Sequence, residues 1–455
     1  MKRKLWLLLL IVPFSTHASD SVHEYHLKNG LKLLVKEDHR APVVVSQIWY
    51  KVGSSYEHNG ITGISHVLEH MMFKGTKKHG PGEFSRIIAE NGGRENAFTG
   101  TDYTAYFQML EKSRLPVSME MESDRMRNLT LPPEEYKKEL EVVKEERHMR
   151  TDDSPRALTD EQFNAVAYNN NPYKNPIIGW QNDLDNLTVD DVRGWYNRWY
   201  EPNNATLVVA GDVNPDEVYA LAEKYYGAIP AGNVVPDKPR IEEPQDGPRR
   251  LTVRTPARVP YLLMGYKVPV LKNAENKWEA YALDVLSGVL SSGRSARLQR
   301  ILVREKQIAV DADAGYNMYA LHNNMFELDG TPAPGHTVAE LEAALHEQIA
   351  RLRDEKVSAD ELDRVKAQVI AGKIYQKDSV FYQGMVLGTL ETVGLSYRLA
   401  DEYVDKIKAV TAEQVQEVAR KYLIDDHLTV AQLEPQSMDK KPKRKPRTLP
   451  PYTHQ

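Results

Sequence analysis

The segment Gly63–Gly75, GISHVLEHMMFKG, sets His66 and His70 four residues apart with Glu69 between them. On a helix, residues four apart share a face, so the two imidazoles can turn towards one ion. Glu69 lies roughly on the same side, where it can take a proton from a water held by that ion. A catalytic zinc site uses three protein ligands and leaves one position open, and two histidines with a glutamate form one known set. The segment therefore asks for a third ligand elsewhere. The plainer alternative is that paired helical histidines are ordinary core or surface residues. Ile64, Val67, Leu68, Met71 and Met72 make this helix largely apolar, and polar side chains on a buried helix need partners. The chain contains no cysteine, so thiolate sites are excluded and any metal must use His, Asp or Glu.

The elements around this segment are legible in outline. The spacing predicts a helix over Thr62–Phe73, with Thr62 as its cap. Glu24–Lys28 and Leu31–Val35 read as a hairpin about Asn29-Gly30. Val43–Val52 reads as a strand, and Arg94–Thr99 with Tyr103–Leu110 as a second hairpin about Gly100-Thr101-Asp102. An internal repeat extends this outline. At an offset of 223, Thr188, Val192, Trp199 and Thr206 meet Thr411, Val415, Tyr422 and Thr429. Both stretches read as an N-capped helix, a polar turn and a strand. Leu131–Glu146 resembles Val357–Gly372 at an offset of 226, each opening a long charged helix. Two related α+β modules follow, each a mostly antiparallel sheet with helices packed on one face. They are expected over residues 19–231 and 249–435, joined by a Pro- and Gly-rich linker at 232–248.

A chain of 455 residues is long enough for such a pair of cores. Lys2, Arg3 and Lys4 precede the apolar run Leu5–Phe14 and the small-residue stretch Thr16-His17-Ala18, the layout of a signal peptide over 1–18. A periplasmic or secreted protein is expected, and no other apolar run is long enough for a transmembrane segment. The net charge is −5, yet residues 436–455 carry six Lys/Arg against one Asp, so the body is more acidic still. That balance argues against nucleic acid as a partner. The basic, Pro-rich tail 436–455 is expected to be disordered.

GISHVLEHMMFKGT resembles the inverted zinc-binding segment of the pitrilysin/insulinase family of metallopeptidases, which includes the mitochondrial processing peptidases. The resemblance implies a third ligand about 76 residues beyond the second histidine, in a helix with V-x-x-E spacing. Glu146 of Val143-Lys144-Glu145-Glu146 stands there. It also implies an assisting glutamate seven residues earlier, here Glu139, two turns away on the same face. NGGRENAFTGTDYTAYF, Asn91–Phe107, is similar to the family's edge-strand region, which assigns substrate-backbone binding to Asn96 and Ala97. Asn171–Gly179 matches a family loop without a clear role. Leu290–Val310 matches a segment that supplies a substrate-binding Arg, here Arg304, but Val310 stands at its usual Tyr partner's place, with Tyr316 a possible substitute. In the second module Asp284, Ser287 and Gly288 stand where His66, Glu69 and His70 do, and Gly372 falls opposite Glu146.

The resemblance thus implies one zinc ion per chain on His66, His70 and Glu146, with Glu69 as catalytic base and Glu139 in support. Zinc is part of the resemblance, since a His₂Glu set binds several divalent ions. The implied activity is a zinc-dependent endopeptidase acting on peptides or unfolded polypeptides. Longer family members close four modules into a chamber, so a two-module chain implies a heterodimer with a related zinc-less subunit, or secondly a homodimer. The competing expectation is a non-catalytic structural or peptide-binding subunit.

Overall fold

The computed structural model describes residues 22–438 apart from 236, 237 and 239. The expected signal peptide at 1–18 and all but the start of the expected tail lie outside the described residues. Two sheets carry the chain. The first contains β1 (Val22–His26), β2 (Lys32–Glu37), β3 (Val43–Tyr50), β4 (Arg94–Thr99), β5 (Thr104–Glu111) and β6 (Ala205–Gly211), in the order β1-β2-β6-β3-β5-β4. The second contains β7 (Arg249–Pro256), β8 (Tyr261–Val268), β9 (Ala309–Tyr316), β10 (Asn324–Pro332) and β11 (Leu428–Gln436), in the order β7-β11-β8-β10-β9. In each, one parallel pair (β2–β6, β7–β11) adjoins antiparallel neighbours. The second order repeats the first without a counterpart of β1. Both modules are α+β, and the repeat follows the expected pattern. Thr188 and Thr411 each close a capping box on the helices Val189–Trp199 and Ala412–Tyr422, which lead into β6 and β11.

The local expectations mostly hold, with shifts of a few residues. The first hairpin has a longer turn than Asn29-Gly30 alone, because Leu27 N–H donates to Leu31 and Gly30 N–H to Leu27. The buried Asn29 amide spends its N–H groups on the carbonyls of Tyr226 and Ile229, which sets the turn against the end of a helix. The central strands are apolar on both sides, as in ATLVVAG of β6, so both sheet faces must be covered. Leu33, Val35, Ile48 and Tyr50 face the module's own helices, including Ile64, Val67, Leu68 and Met71.

The opposite faces are covered by exchange. Leu34, Trp49 and Val208 of the first sheet receive Leu387 from the second module's helix Val380–Thr392. Leu263, Ala431 and Leu433 of the second sheet receive Phe163 and Ala167 from the first module's helix Pro155–Ala167. Both helices begin behind a capping serine, Ser154 or Ser379. Glycine makes each contact close. A Cβ at Gly388 would meet the Trp49 ring at 2.1 Å, and one at Gly265 the Phe163 ring at 2.6 Å. The modules clasp one another, an arrangement that periodicity within either module does not reveal.

Candidate metal centre

The histidines sit on the helix Ile64–Met71, shorter than expected at both ends. Thr62 does not cap it. Its hydroxyl donates to Asp183 Oδ2 at 2.6 Å and accepts the N–H of Trp180. Gly63 occupies the N-cap position with φ 86°, and a Cβ there would meet the Ile178 carbonyl at 2.6 Å. This turn needs glycine both for its left-handed conformation and for space. The helix's first N–H groups go instead to Glu57, whose two oxygens accept from Gly63 at 2.7 Å and Ser65 at 2.9 Å. Glu57 is fully buried, and burial pushes its carboxyl up to about 7 despite those bonds.

The helix Pro133–Arg147 brings Glu139 and Glu146 to the same place. Glu146 Oε2 lies 3.4 Å from His70 Nε2 and 3.8 Å from His66 Nε2. One ligand atom from each of the three residues lies within 4.8 Å of the others. Tetrahedral zinc with bonds of about 2.0–2.2 Å sets adjacent donors roughly 3.3 Å apart, so this nitrogen and oxygen set fits a zinc ion. Glu139 stands behind it: His70 Nδ1 meets Glu139 Oε2 at 3.2 Å, and Lys74 Nζ holds its other oxygen at 2.6 Å. A second carboxylate on the far ring nitrogen fixes an imidazole's orientation. His66 Nδ1 is buried and, among the described residues, has no such partner. Arg150 holds Glu146 Oε1 at 2.8 Å, leaving Oε2 for the histidines.

Charge follows this geometry. Burial and the adjacent His70 push His66 down to about 4, so its ring is neutral and able to donate a lone pair. Burial opposes a charge on His70 as well, but Glu139 and Glu146 win and hold it up at about 9. Burial raises the Glu69 carboxyl, against a hydrogen bond of 2.6 Å from the Thr99 hydroxyl to its Oε2.

Thr99 ends β4, the outermost strand of its sheet, and β4 also carries the residues expected to meet substrate. Asn96 is exposed, and its side-chain oxygen accepts the Ala97 N–H at 2.9 Å, so an incoming peptide must displace it to reach that donor. Arg304 is not brought to the cluster. It lies in the segment Leu298–Glu305 of the second module, with its guanidinium on the Arg294 carbonyl at 2.7 Å. Among the described residues no hydrogen bond or ion pair joins Arg304 to the metal ligands. Val310 is exposed, and the Tyr316 hydroxyl is taken by the Pro269 carbonyl. At the position matching His66, Asp284 accepts from the Tyr403 hydroxyl.

Sequence reasoning missed Glu57, Lys74, Thr99 and Arg150. Arg150 was findable, lying four residues beyond Glu146 and hence on its face, whereas Lys74 lies past the end of the histidine helix. Glu57 and Thr99 arrive from outside the helices and carry no spacing signal.

Comparison with known proteins places this geometry. The family model described as insulinase, peptidase family M16, matches residues 32–180, and the one described as the peptidase M16 inactive domain matches 186–369. The histidine pair lies in the part matched by the first of these, and the second match begins inside the first module, before the helix Val189–Trp199 and β6. The chain is 34% identical to a zinc protease, PqqE, of Helicobacter pylori, over 79% of this chain and 81% of that protein. It is 26% identical to an uncharacterized zinc protease, YmxG, of Bacillus subtilis, over 89% of this chain and 97% of that one. Among solved structures, a protease from Helicobacter pylori aligns with a TM-score of 0.87 at 30% identity, covering 91% of this chain and all of that one. The periplasmic protease PqqL of Escherichia coli shares the fold at a TM-score of 0.73 and 20% identity, with 94% of this chain spanning 51% of it.

Proposed function

Because the chain belongs to the insulinase family of peptidases, we propose that it is a zinc-dependent endopeptidase hydrolysing peptides or unfolded polypeptides. The observation that carries this reading is the convergence of His66, His70 and Glu146 from two helices, with Glu69 beside them. When bound by those three residues, one zinc ion supplies a Lewis acid that polarises a carbonyl and brings the pKa of water towards 7.

The remaining work belongs to side chains of this chain. Glu69 accepts the proton of the attacking water and returns it to the leaving amine. Its buried setting makes it a stronger base than an exposed carboxylate. Glu139 orients His70, and Lys74 holds Glu139. The free edge of β4 at Asn96 and Ala97 takes the peptide as an added strand, reading backbone more than side chains. Arg304 enters the reading as a substrate contact only from the opposing half of an assembly. A two-module chain covers one wall of a chamber, so the active form is a heterodimer with a related zinc-less subunit, a homodimer being the second arrangement. The location proposed is the periplasm or the exterior, from the leader at 1–18.

The test uses protein isolated with whatever partner accompanies it and an internally quenched unfolded peptide. Cleavage should stop on chelation and return with zinc. A preparation that binds the peptide but never cleaves it, with or without zinc, is instead a peptide-binding subunit.

A further inference from the structure

The loop Asn171–Gly179 touches several supports of the site. At one end, Gly179 lies against Gly63 at the start of the histidine helix, and its carbonyl accepts from Arg147, next to Glu146. At the other end, the Tyr173 hydroxyl donates to Asp102 Oδ2 at 2.5 Å, in the turn between β4 and β5. The same hydroxyl accepts the backbone N–H groups of Leu321 and His322, both at 3.1 Å, from the second module's β9–β10 connection. Asn171 donates to the Asn323 carbonyl of that connection at 2.7 Å.

Asp102 is the centre of this junction. It is 2% exposed and also accepts from Ser55 Oγ and from Leu321 N–H, each at 2.9 Å. Among the described residues no Lys or Arg forms an ion pair with it. A buried carboxyl group whose hydrogen bonds all come from neutral donors depends on each of them, and a lost donor leaves a buried oxygen unsatisfied. The turn has little freedom otherwise. Ser55 N–H donates to the Thr101 carbonyl at 2.7 Å, and a Cβ at Gly53 would strike the Gly100 carbonyl at 2.4 Å. One residue before Gly100 stands Thr99, which holds Glu69.

We propose that Tyr173 and Asp102 are positioning residues through which the metal-free second module fixes the β4–β5 turn and so keeps Thr99 on Glu69. The link to catalysis rests on Glu69 being the base, whereas the mechanical tie does not. The ladder between β4 and β5 anchors Asn96 and Ala97 independently, so the tie acts on turnover and not on peptide affinity.

The experiment compares zinc-loaded full-length protein with Tyr173→Phe and Asp102→Asn. Amide exchange over residues 99–104 should quicken about tenfold in both variants, with Asn96, Ala97 and the 64–71 helix unchanged. Unaltered exchange over 99–104 would overturn the tie. With the quenched peptide, kcat should fall about five- to twentyfold while KM stays within about twofold and bound zinc is constant. Thr99→Val should lose as much, and Thr99→Ser should recover most of it. The double variant Thr99→Val, Tyr173→Phe should be no worse than Thr99→Val, since both act through the same Thr99–Glu69 bond. Additive losses, or a rise in KM at constant kcat, contradict the coupling. A wild-type protein that cleaves nothing refutes the proposed function, and the exchange result still decides the tie.

Discussion

Glu69 and Glu139 both interact with His70, yet the proposed chemistry asks different things of them. Replacing Glu69 with Gln removes a proton acceptor and leaves the three ligands alone. The expected result is a loss of at least about a hundredfold in kcat with zinc still bound; unchanged turnover ends its assignment as the base. Replacing Glu139 with Gln weakens the support of His70, so zinc affinity should drop about ten- to a hundredfold. Metal competition against a chromogenic chelator measures this, and an unshifted affinity would remove Glu139 from the site. Glu69 was legible from its place beside the histidine pair on one helix, and Glu139 from the family resemblance, which implies an assisting glutamate seven residues before Glu146. Thr99 was not, because its contact depends on how a hairpin 30 residues away folds over the helix.

At the scale of elements, the helix carrying the histidines begins on a buried carboxylate. A carboxyl raised to about 7 from 4.5 in the unfolded chain keeps its proton in the fold over that interval. Its contribution to stability is therefore full below about pH 4.5 and is lost as pH rises to about 7. Other groups titrate as well, so the informative quantity is a difference between two proteins. Glu57→Gln cannot accept both N–H bonds and should be less stable than wild type, with a gap that narrows by about 2–3 kcal/mol between pH 5 and pH 8. Urea unfolding at the two values measures the gap, and a constant gap contradicts the assignment. The sequence proposed Thr62 as the cap because a threonine before an apolar run fits that role. A carboxylate reaching back from six residues upstream of Gly63 leaves no such pattern.

For the whole molecule, the repeat was visible as two offsets, and it foretold two similar sheets. The exchange of helices between them was not visible, since each exchanged helix reads locally as one more amphipathic segment. Its consequence is cooperativity. Both sheets depend on a helix from the other module, so the modules should unfold in one transition. Gly388→Val drives a side chain into Trp49 and should cost about 1–3 kcal/mol without creating a second transition. Two separated transitions in wild-type protein, followed by tryptophan fluorescence and calorimetry, would contradict the clasp.

All of this turns on three side chains sharing one cation. Crystals grown with zinc and measured on both sides of its absorption edge test that directly. One anomalous peak per chain is expected, about 2.0–2.2 Å from a nitrogen of His66, a nitrogen of His70 and an oxygen of Glu146. A fully zinc-loaded crystal with no peak there, or one in which Glu146 turns away from the metal, would contradict it.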